Sequence, residues 1–282
     1  QKVVIVFQNN GNSNYGTAVV GTVSGTSISF GTAVVFHSAT TNWPSAAYDT
    51  NAKKVVVSYN NNNTQGEVIV GTVSGTSISF SSAVQFEPAA PQNITIVYDS
   101  TAQKVVTSYE DSGNSSYGTS FVFQAASSSN TDFVGITNEA ISNSATGEVA
   151  VQGGVITNTN LNVATAITAG SKVVFDDGGA TTGIALAYDP DTAKVVNVFC
   201  TTNVQGIVGT VSGTSISYGS ASSANSSSSS DAQVAYDTVN NKIVAVYKEG
   251  FNDARVVIGT VSGTAISWGT PVVFASINAA TP

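Results

Sequence analysis

The sequence is short of the residues that carry most catalytic and metal-binding chemistry. Its 282 residues include one cysteine, one histidine, two tryptophans and no methionine. A single cysteine forms no disulfide within the chain and no cysteine metal cluster, and nothing near His37 completes a nucleophilic triad. Because methionine is absent, we expect that Gln1 is not the translational start and that the chain is a processed product or a fragment.

Charge is equally scarce. Only 9% of the residues are charged, and 17 acidic against 9 basic residues give a net charge of −8. Nucleic acids and anionic membrane surfaces bind basic patches, so this composition argues against both as partners. No run of 18 apolar residues is present, so no membrane insertion is expected. The surface must be rich in Ser, Thr, Asn and Gly, which is typical of extracellular β-rich appendages.

One phrase recurs in nearly identical form along the chain. Gly-Thr-Val-Ser-Gly-Thr begins at Gly21, Gly71, Gly209 and Gly259, at intervals of 50, 138 and 50 residues. A fixed period near 50 residues indicates a repeat architecture, in which one supersecondary unit is stacked several times.

Each repeat predicts four short strands. Runs such as 54–59 and 66–73 are rich in β-branched and aromatic residues, and no segment shows a helical period with caps. A Ser-Gly pair between the third and fourth strands predicts a tight hairpin. An aspartate after the first strand can pin the next turn by accepting backbone N–H groups. We interpret four such aspartates as structural: Asp49, Asp99, Asp189 and Asp237.

These units predict a five-bladed, all-β propeller of four-stranded antiparallel blades, because radial packing buries both faces of every sheet. A string of small sandwiches is the alternative, but a lone four-stranded unit buries little. The first blade lacks its first strand, and a small β-rich insert at 125–163 interrupts the third. The predicted blades are 1–37, 38–87, 88–124 with 164–176, 177–222 and 223–275.

The two ends of the predicted blades differ in their loops. Connections from strand two to three, and from strand four to the next blade, vary in length and chemistry, whereas the other turns are nearly constant. Because binding residues usually lie on loops of a rigid scaffold, we predict a binding role for the variable end. The alternative is that these polar loops are solvated and vary in sequence without a binding role. The candidate ligand-binding residues are His37, Trp43, Glu87, Glu110, Asp111, Asp176, Asp177, Lys248, Phe251 and Asp253.

Trp43 and the acidic loops suggest different chemistries. A loop tryptophan can stack on a sugar face or anchor a protein partner, and packing over the blade edge is the alternative. Pairs such as Glu110 and Asp111 suit glycoside hydrolysis or Ca²⁺ binding. The innermost strands carry no acid before the turn, and no known calcium-loop pattern is present. We therefore predict no enzymatic activity and no required cofactor, with Ca²⁺ as the alternative.

The segment 12–32 reads Asn-Ser-Asn-Tyr-Gly-Thr-Ala-Val-Val-Gly-Thr-Val-Ser-Gly-Thr-Ser-Ile-Ser-Phe-Gly-Thr and is followed by Ala-Tyr-Asp and Lys-Val-Val. This combination resembles repeats in predicted tail-fibre and other structural proteins of marine bacteriophages. The insert segment 132–147 resembles a module that accompanies those repeats, although there it follows the propeller. The resemblance implies a structural or virion-surface role and supplies no catalytic residues.

The sequence thus favours a non-enzymatic extracellular or virion-surface propeller that binds a cell-surface glycan through its variable loops. One alternative is a structural subunit of a filament or virion appendage, a homo-oligomer in which a neighbouring copy donates a strand to the incomplete first blade. In that case the segment 275–282 could instead cover this edge. A glycoside hydrolase is the second alternative.

Overall fold

The computed structural model describes residues 1–125, 136–137, 149–150, 167–169, 172–176, 180–250 and 253–276. Regular structure in these ranges is β, apart from one 3₁₀ turn at Asn10–Asn12. No helix in the described ranges is long and apolar enough to cross a membrane. Most of the predicted insert at 125–163 lies outside the described residues.

Apart from one two-stranded pair, the strands of the described ranges form one eight-stranded sheet followed along the chain by three five-stranded sheets, all antiparallel. The eight-stranded sheet comprises two repeat units joined by one long strand, so we call the resulting five units blades one to five. Blade one contains β1 (Lys2–Asn9), β2 (Tyr15–Ser24), β3 (Ser27–Phe30) and the first part of β4 (Val34–Asp49). Blade two contains the rest of β4, β5 (Lys54–Asn61), β6 (Gln65–Ser74), β7 (Ser77–Phe80) and β8 (Val84–Glu87). Blade three contains β9 (Gln92–Asp99), β10 (Lys104–Asp111), β11 (Tyr117–Ala125), β14 (Ile167–Ala169) and β15 (Val173–Asp176).

Blades four and five repeat this arrangement. Blade four contains β16 (Thr182–Asp189), β17 (Lys194–Cys200), β18 (Val204–Ser212), β19 (Ser215–Tyr218) and β20 (Ser222–Ser223). Blade five contains β21 (Ser229–Asp237), β22 (Lys242–Glu249), β23 (Asp253–Ser262), β24 (Ala265–Trp268) and β25 (Val272–Ser276). A separate two-stranded pair joins β12 (Ile136–Thr137) to β13 (Val149–Ala150).

The outermost strand of each blade is split into two short strands. In blade two, β7 pairs with the second half of β6 and β8 pairs with its first half. The chain then continues inward to the first strand of the next blade. Between blades one and two this passage is a single strand, because β4 pairs with β2 at its start and with β5 at its end.

The turn after each first strand is held by its aspartate. Oδ1 of Asp49 accepts the backbone N–H groups of Asn51 and Ala52 at 2.9 and 2.8 Å. The equivalent bonds form at Asp99, Asp189 and Asp237. In Asp237, bonds from the Asn240 side chain and the turn N–H groups lower the pKa of the carboxyl. These carboxylates are therefore engaged by the backbone of their own turns.

The hydrophobic core lies between the blades rather than within them. The junction of blades one and two buries Val20 from one sheet against Val57 and Ile78 from the other. Each later pair of consecutive blades shares a cluster of the same kind. No cluster of the described residues joins blade five to blade one. The described blades therefore pack in series, with an uncovered face at each end.

Candidate functional site

The variable connections of neighbouring blades are hydrogen-bonded to one another. The part of β4 that leads into blade two lies between the loop before β2 and the loop after β5. Thr41 N–H donates to Asn14 O at 3.0 Å, and Asn62 N–H donates to Thr40 O at 2.8 Å. Between blades four and five, Gly250 N–H likewise donates to Ser228 O at 2.9 Å. The structure therefore brings the variable loops together on one end of the blades.

Trp43 lies at a β-bulge at the start of an innermost strand. The register between β4 and β5 shifts between Asn42 and Ser45, and Trp43 has a φ of 53°. The residues at the same position in blades three, four and five are Asn93, Gly183 and Asp231, all with positive φ. Left-handed backbone is unfavourable for a bulky residue, and a bulge redirects the side chain it carries. The indole of Trp43 is accordingly 47% exposed.

The exposed indole forms one wall of a cleft of about 710 Å³ whose lining residues come from blades one, two and three. Apart from Pro44 and Ala90, the remaining described walls are residues with side-chain amides, and none of the described lining residues is charged. The amides belong to Gln8, Asn42, Asn60, Asn63 and Gln92.

The amides around Trp43 are held in place by one another. Gln8 Nε2 donates to Asn42 Oδ1 at 3.0 Å, and Asn42 Nδ2 donates to Asn63 Oδ1 at 2.8 Å. Oδ1 of Asn60 accepts the backbone N–H of Asn63 at 2.8 Å, and Asn60 Nδ2 donates to Pro91 O at 2.7 Å. The cleft thus presents a flat apolar ring beside a preordered set of uncharged donors and acceptors.

His37 packs beside this cleft without lining it. Its Nδ1 lies 2.8 Å from Thr41 Oγ1, and its ring lies 5.0 Å from that of Tyr59, centroid to centroid. Burial lowers the pKa of His37, although the nearby Glu67 carboxylate acts in the opposite direction. Burial acts to raise the pKa of the Glu67 carboxyl, but the hydrogen bonds that it accepts from Tyr59, Asn61 and Gln65 outweigh burial and hold that pKa below its usual value.

Glu87 and Asp111 meet in a second cavity, of about 560 Å³, between blades two and three. The buried Glu87 accepts hydrogen bonds from Tyr109 Oη at 2.9 Å and Lys172 Nζ at 2.8 Å, and Lys172 Nζ lies 3.8 Å from Asp111. Burial, followed by the charge of Glu87, raises the pKa of Asp111. These carboxylates therefore form an internal ion-pair network.

The remaining candidates are distributed over several blades. Glu110 accepts a bond from Asn93 Nδ2 at 3.0 Å, and Asp253 pairs with Arg255 at 3.4 Å. Lys248 lies on β22 opposite Ala254. Asp176 ends β15, whereas Asp177 and Phe251 lie outside the described residues. Of the candidates that the structure describes, Trp43 alone lines the amide cleft.

The amides of the cleft were not recognisable as a group from the sequence. They come from β1, β4, β5, β9 and the loop after β5, and Asn residues are abundant throughout the chain. The one available signal is positional, because Gln8 and Asn60 occupy the same place after the aromatic residue of the second strand. Among the described side chains, no three of His, Cys, Asp or Glu are grouped to hold a metal ion.

No family model and no curated protein matches the chain. A protein from Lactobacillus plantarum is similar in structure, with a TM-score of 0.58, 9% identity, and coverage of 96% of this chain and 67% of that one. The Aleuria aurantia lectin in complex with Fucα1-6GlcNAc gives a TM-score of 0.51 and 11% identity over 100% of this chain and 77% of the lectin. AofleA from Arthrobotrys oligospora gives a TM-score of 0.52 and 8% identity over 100% of this chain and 76% of AofleA.

The Aleuria aurantia lectin is described as a six-bladed β-propeller. The structural likeness extends along the whole of the present chain, whose described residues form a series of antiparallel sheets with hydrophobic cores at the junctions between blades. The chain has a β-propeller fold.

Proposed function

We propose that this chain is a non-enzymatic propeller that binds a glycan in the Trp43 cleft. The observation that carries the proposal is an exposed tryptophan on left-handed backbone, facing a cleft walled by ordered amides. Residues held in unfavourable backbone conformations concentrate at binding and active sites. The likeness to a lectin solved with Fucα1-6GlcNAc supports a carbohydrate as the ligand class.

The chemistry of the cleft suits a sugar ring. One face of a pyranose carries C–H groups that pack on an indole, and its rim carries hydroxyls that both donate and accept hydrogen bonds. Asn42, Asn63 and Gln92 line the same cleft as Trp43, and their amides carry both donors and acceptors. Because none of the residues described in the lining of the cleft is charged, we propose that the bound sugar is uncharged.

The bulge positions indicate how many such sites the described blades hold. Only Trp43 places an aromatic ring at the bulge, since its equivalents are Asn93, Gly183 and Asp231. The proposal therefore assigns one tryptophan site to each chain.

Catalysis is not part of this proposal. The buried carboxylates of Glu87 and Asp111 are engaged by Tyr109 and Lys172, which leaves the cavity between blades two and three as a structural network. An extracellular or virion-surface location belongs to the proposal, with a cell-surface glycan as the partner.

The test is a glycan array followed by titration of the glycans that bind. Trp43→Ala should weaken binding by about thirtyfold or more, the loss expected for a central aromatic contact. Trp43→Phe should retain part of the affinity, because a smaller ring remains. Phe274→Ala is the matched control, since it removes an exposed aromatic from β25 of blade five, away from the cleft. Equal binding by wild type and Trp43→Ala would contradict the proposal.

A structural subunit of an appendage is the second candidate function. The observation that favours it is β1, which pairs with β2 on one side and forms the edge of its sheet on the other. An unpaired edge strand can accept a strand from another chain. Light scattering across a concentration series tests this candidate, and a constant monomeric mass would argue against strand donation between copies.

A further inference from the structure

Blade one has an uncovered apolar face. Ile28 and Ile78 occupy the same position in the same Ser-Ile-Ser-Phe segment, yet Ile28 is 45% exposed and Ile78 is 4% exposed. The difference arises because Ile78 packs against blade one, whereas no described blade precedes Ile28. We call this surface the leading face. It comprises Val3, Ile5, Phe7, Ile28 and Phe30.

Blade five has an uncovered face of the opposite kind. Ile258 is 44% exposed, although Val208 at the equivalent position in blade four is fully buried against blade five. We call this surface the trailing face. It comprises Ile258, Gly269, Val272 and Phe274.

The internal junctions show what each face normally contacts. At three of them, an aromatic ring on the outermost strand of one blade packs against the second-strand aromatic of the next blade. The pairs are Phe36 with Tyr59 at 5.3 Å, Phe86 with Tyr109 at 5.3 Å and Phe175 with Phe199 at 5.2 Å. Phe274 on the trailing face and Phe7 on the leading face are the two halves of this contact. Within the described chain, neither has such a ring partner.

A glycine at the break in the outermost strand shows the same relation. A Cβ on Gly31 would lie 2.1 Å from the carbonyl oxygen of Thr76, in the Val-Ser-Gly-Thr turn of blade two. A Cβ on Gly219 would lie 1.9 Å from the corresponding oxygen of Thr264 in blade five. At Gly269 the nearest atom belongs to blade five itself, 3.5 Å away. At the trailing face, Gly269 therefore leaves open the space that the Val-Ser-Gly-Thr turn of a following blade fills at Gly31 and Gly219.

We propose that the two faces bind one further four-stranded sheet of this same repeat, a sixth blade seated between blade five and blade one. The partner sheet supplies a second-strand aromatic to Phe274, a Val-Ser-Gly-Thr turn to Gly269 and an outer-strand aromatic to Phe7. With this sheet in place, the propeller contains six blades instead of the five that the sequence predicts.

A complete second copy does not fit this position. The blade that enters must present both of its faces, one to the trailing face and one to the leading face. Every described blade of the chain already has at least one face covered by its neighbour in the series. The partner is therefore a single blade-sized sheet with both faces free.

The experiment adds such a sheet to the full chain. Ser276 occupies the same position after Phe274 as Ser38 does after Phe36, so residues 277–282 are replaced by a second copy of 39–87. Hydrogen exchange is then compared at β3 and at its counterpart β7. In the six-blade variant, exchange at β3 and β25 should slow by about tenfold or more, toward the rate at β7, because covered strands open less often.

Phe274→Asp is the matched control. In the six-blade variant it should abolish the added protection, whereas in the original chain it should leave Tm within about 2 °C, because Phe274 is 58% exposed there. Three results would overturn the proposal. The first is an unchanged rate of hydrogen exchange at β3 after the sheet is added. The second is an equal rate of hydrogen exchange at β3 and β7 in the original chain. The third is a mass in solution above 28.6 kDa for the original chain, which would identify a second copy as the occupant.

Discussion

The most informative perturbation is the same substitution at two equivalent isoleucines, Ile28→Ala and Ile78→Ala. Both residues lie in a Ser-Ile-Ser-Phe strand that pairs with the Gly-Thr-Val-Ser segment of its own blade. Local sequence, strand pairing and hairpin geometry are therefore matched. Ile78 also belongs to the cluster between blades one and two, and Ile28 faces outward.

The two losses of stability should differ by several-fold. Ile78→Ala removes a buried side chain and leaves a cavity, which lowers the free energy of unfolding by roughly 2–4 kcal/mol. Ile28→Ala removes a half-exposed side chain and should lower it by less than about 1 kcal/mol. In a chain of this size the first change lowers Tm by about 5–10 °C and the second by no more than about 3 °C.

Thermal and urea unfolding of both variants measures this contrast. Including Phe274→Asp in every sample disrupts the trailing face, so that no partner covers Ile28 through it. Equal losses of stability at the two positions would contradict an exposed leading face, because they would mean that another surface covers Ile28 in the isolated chain.

Four further outcomes follow from the same contacts. Gly219→Ala should lower Tm by several degrees because its Cβ would meet Thr264, while Gly269→Ala should change the Tm of the isolated chain little; melting curves check both. Burial lowers the pKa of His37 in the folded chain, so the unfolded chain binds the proton first as the pH falls. Stability should therefore fall as the pH drops below 6.5. Tm followed from pH 7.5 to 5.5 should fall less steeply in His37→Gln than in the original chain. The pKa of Asp111 is raised by burial and then by Glu87, so its ionised form opposes folding at neutral pH; Asp111→Asn should raise Tm at pH 7, and the gain should shrink as pH falls toward the carboxyl's pKa. Calorimetry with a glycan found on the array should give one site per chain and little dependence on salt, because one bulge of the described blades carries an aromatic ring and the described lining of its cleft is uncharged.

Much of the fold can be predicted from the sequence because the repeat displays its own turn chemistry. The aspartate turns and Ser-Gly hairpins recur at fixed spacing, and each requires a local backbone conformation that few residues supply. Gly75, for example, adopts a φ of 60° in the turn between β6 and β7. The splitting of the outer strand and the open ends of the series depend on contacts between blades, which local sequence does not encode.

The candidate site was predictable only in part. Trp43 stood out as a rare aromatic in a variable loop, and it does line a cleft. The acidic candidates were chosen for their charge, but Glu87 is buried beneath Tyr109 and Lys172, and Glu110 bonds to Asn93. Their partners come from other strands and other blades. The amides that complete the cleft could not be separated from the many other Asn residues without coordinates.

A crystal structure of the chain with the glycan that binds most strongly on the array would show whether the Trp43 cleft is the binding site. We predict that one sugar ring stacks on the indole of Trp43, with its hydroxyls bonded to the surrounding amides. A glycan bound at another junction, with the Trp43 cleft containing solvent alone, would contradict the account.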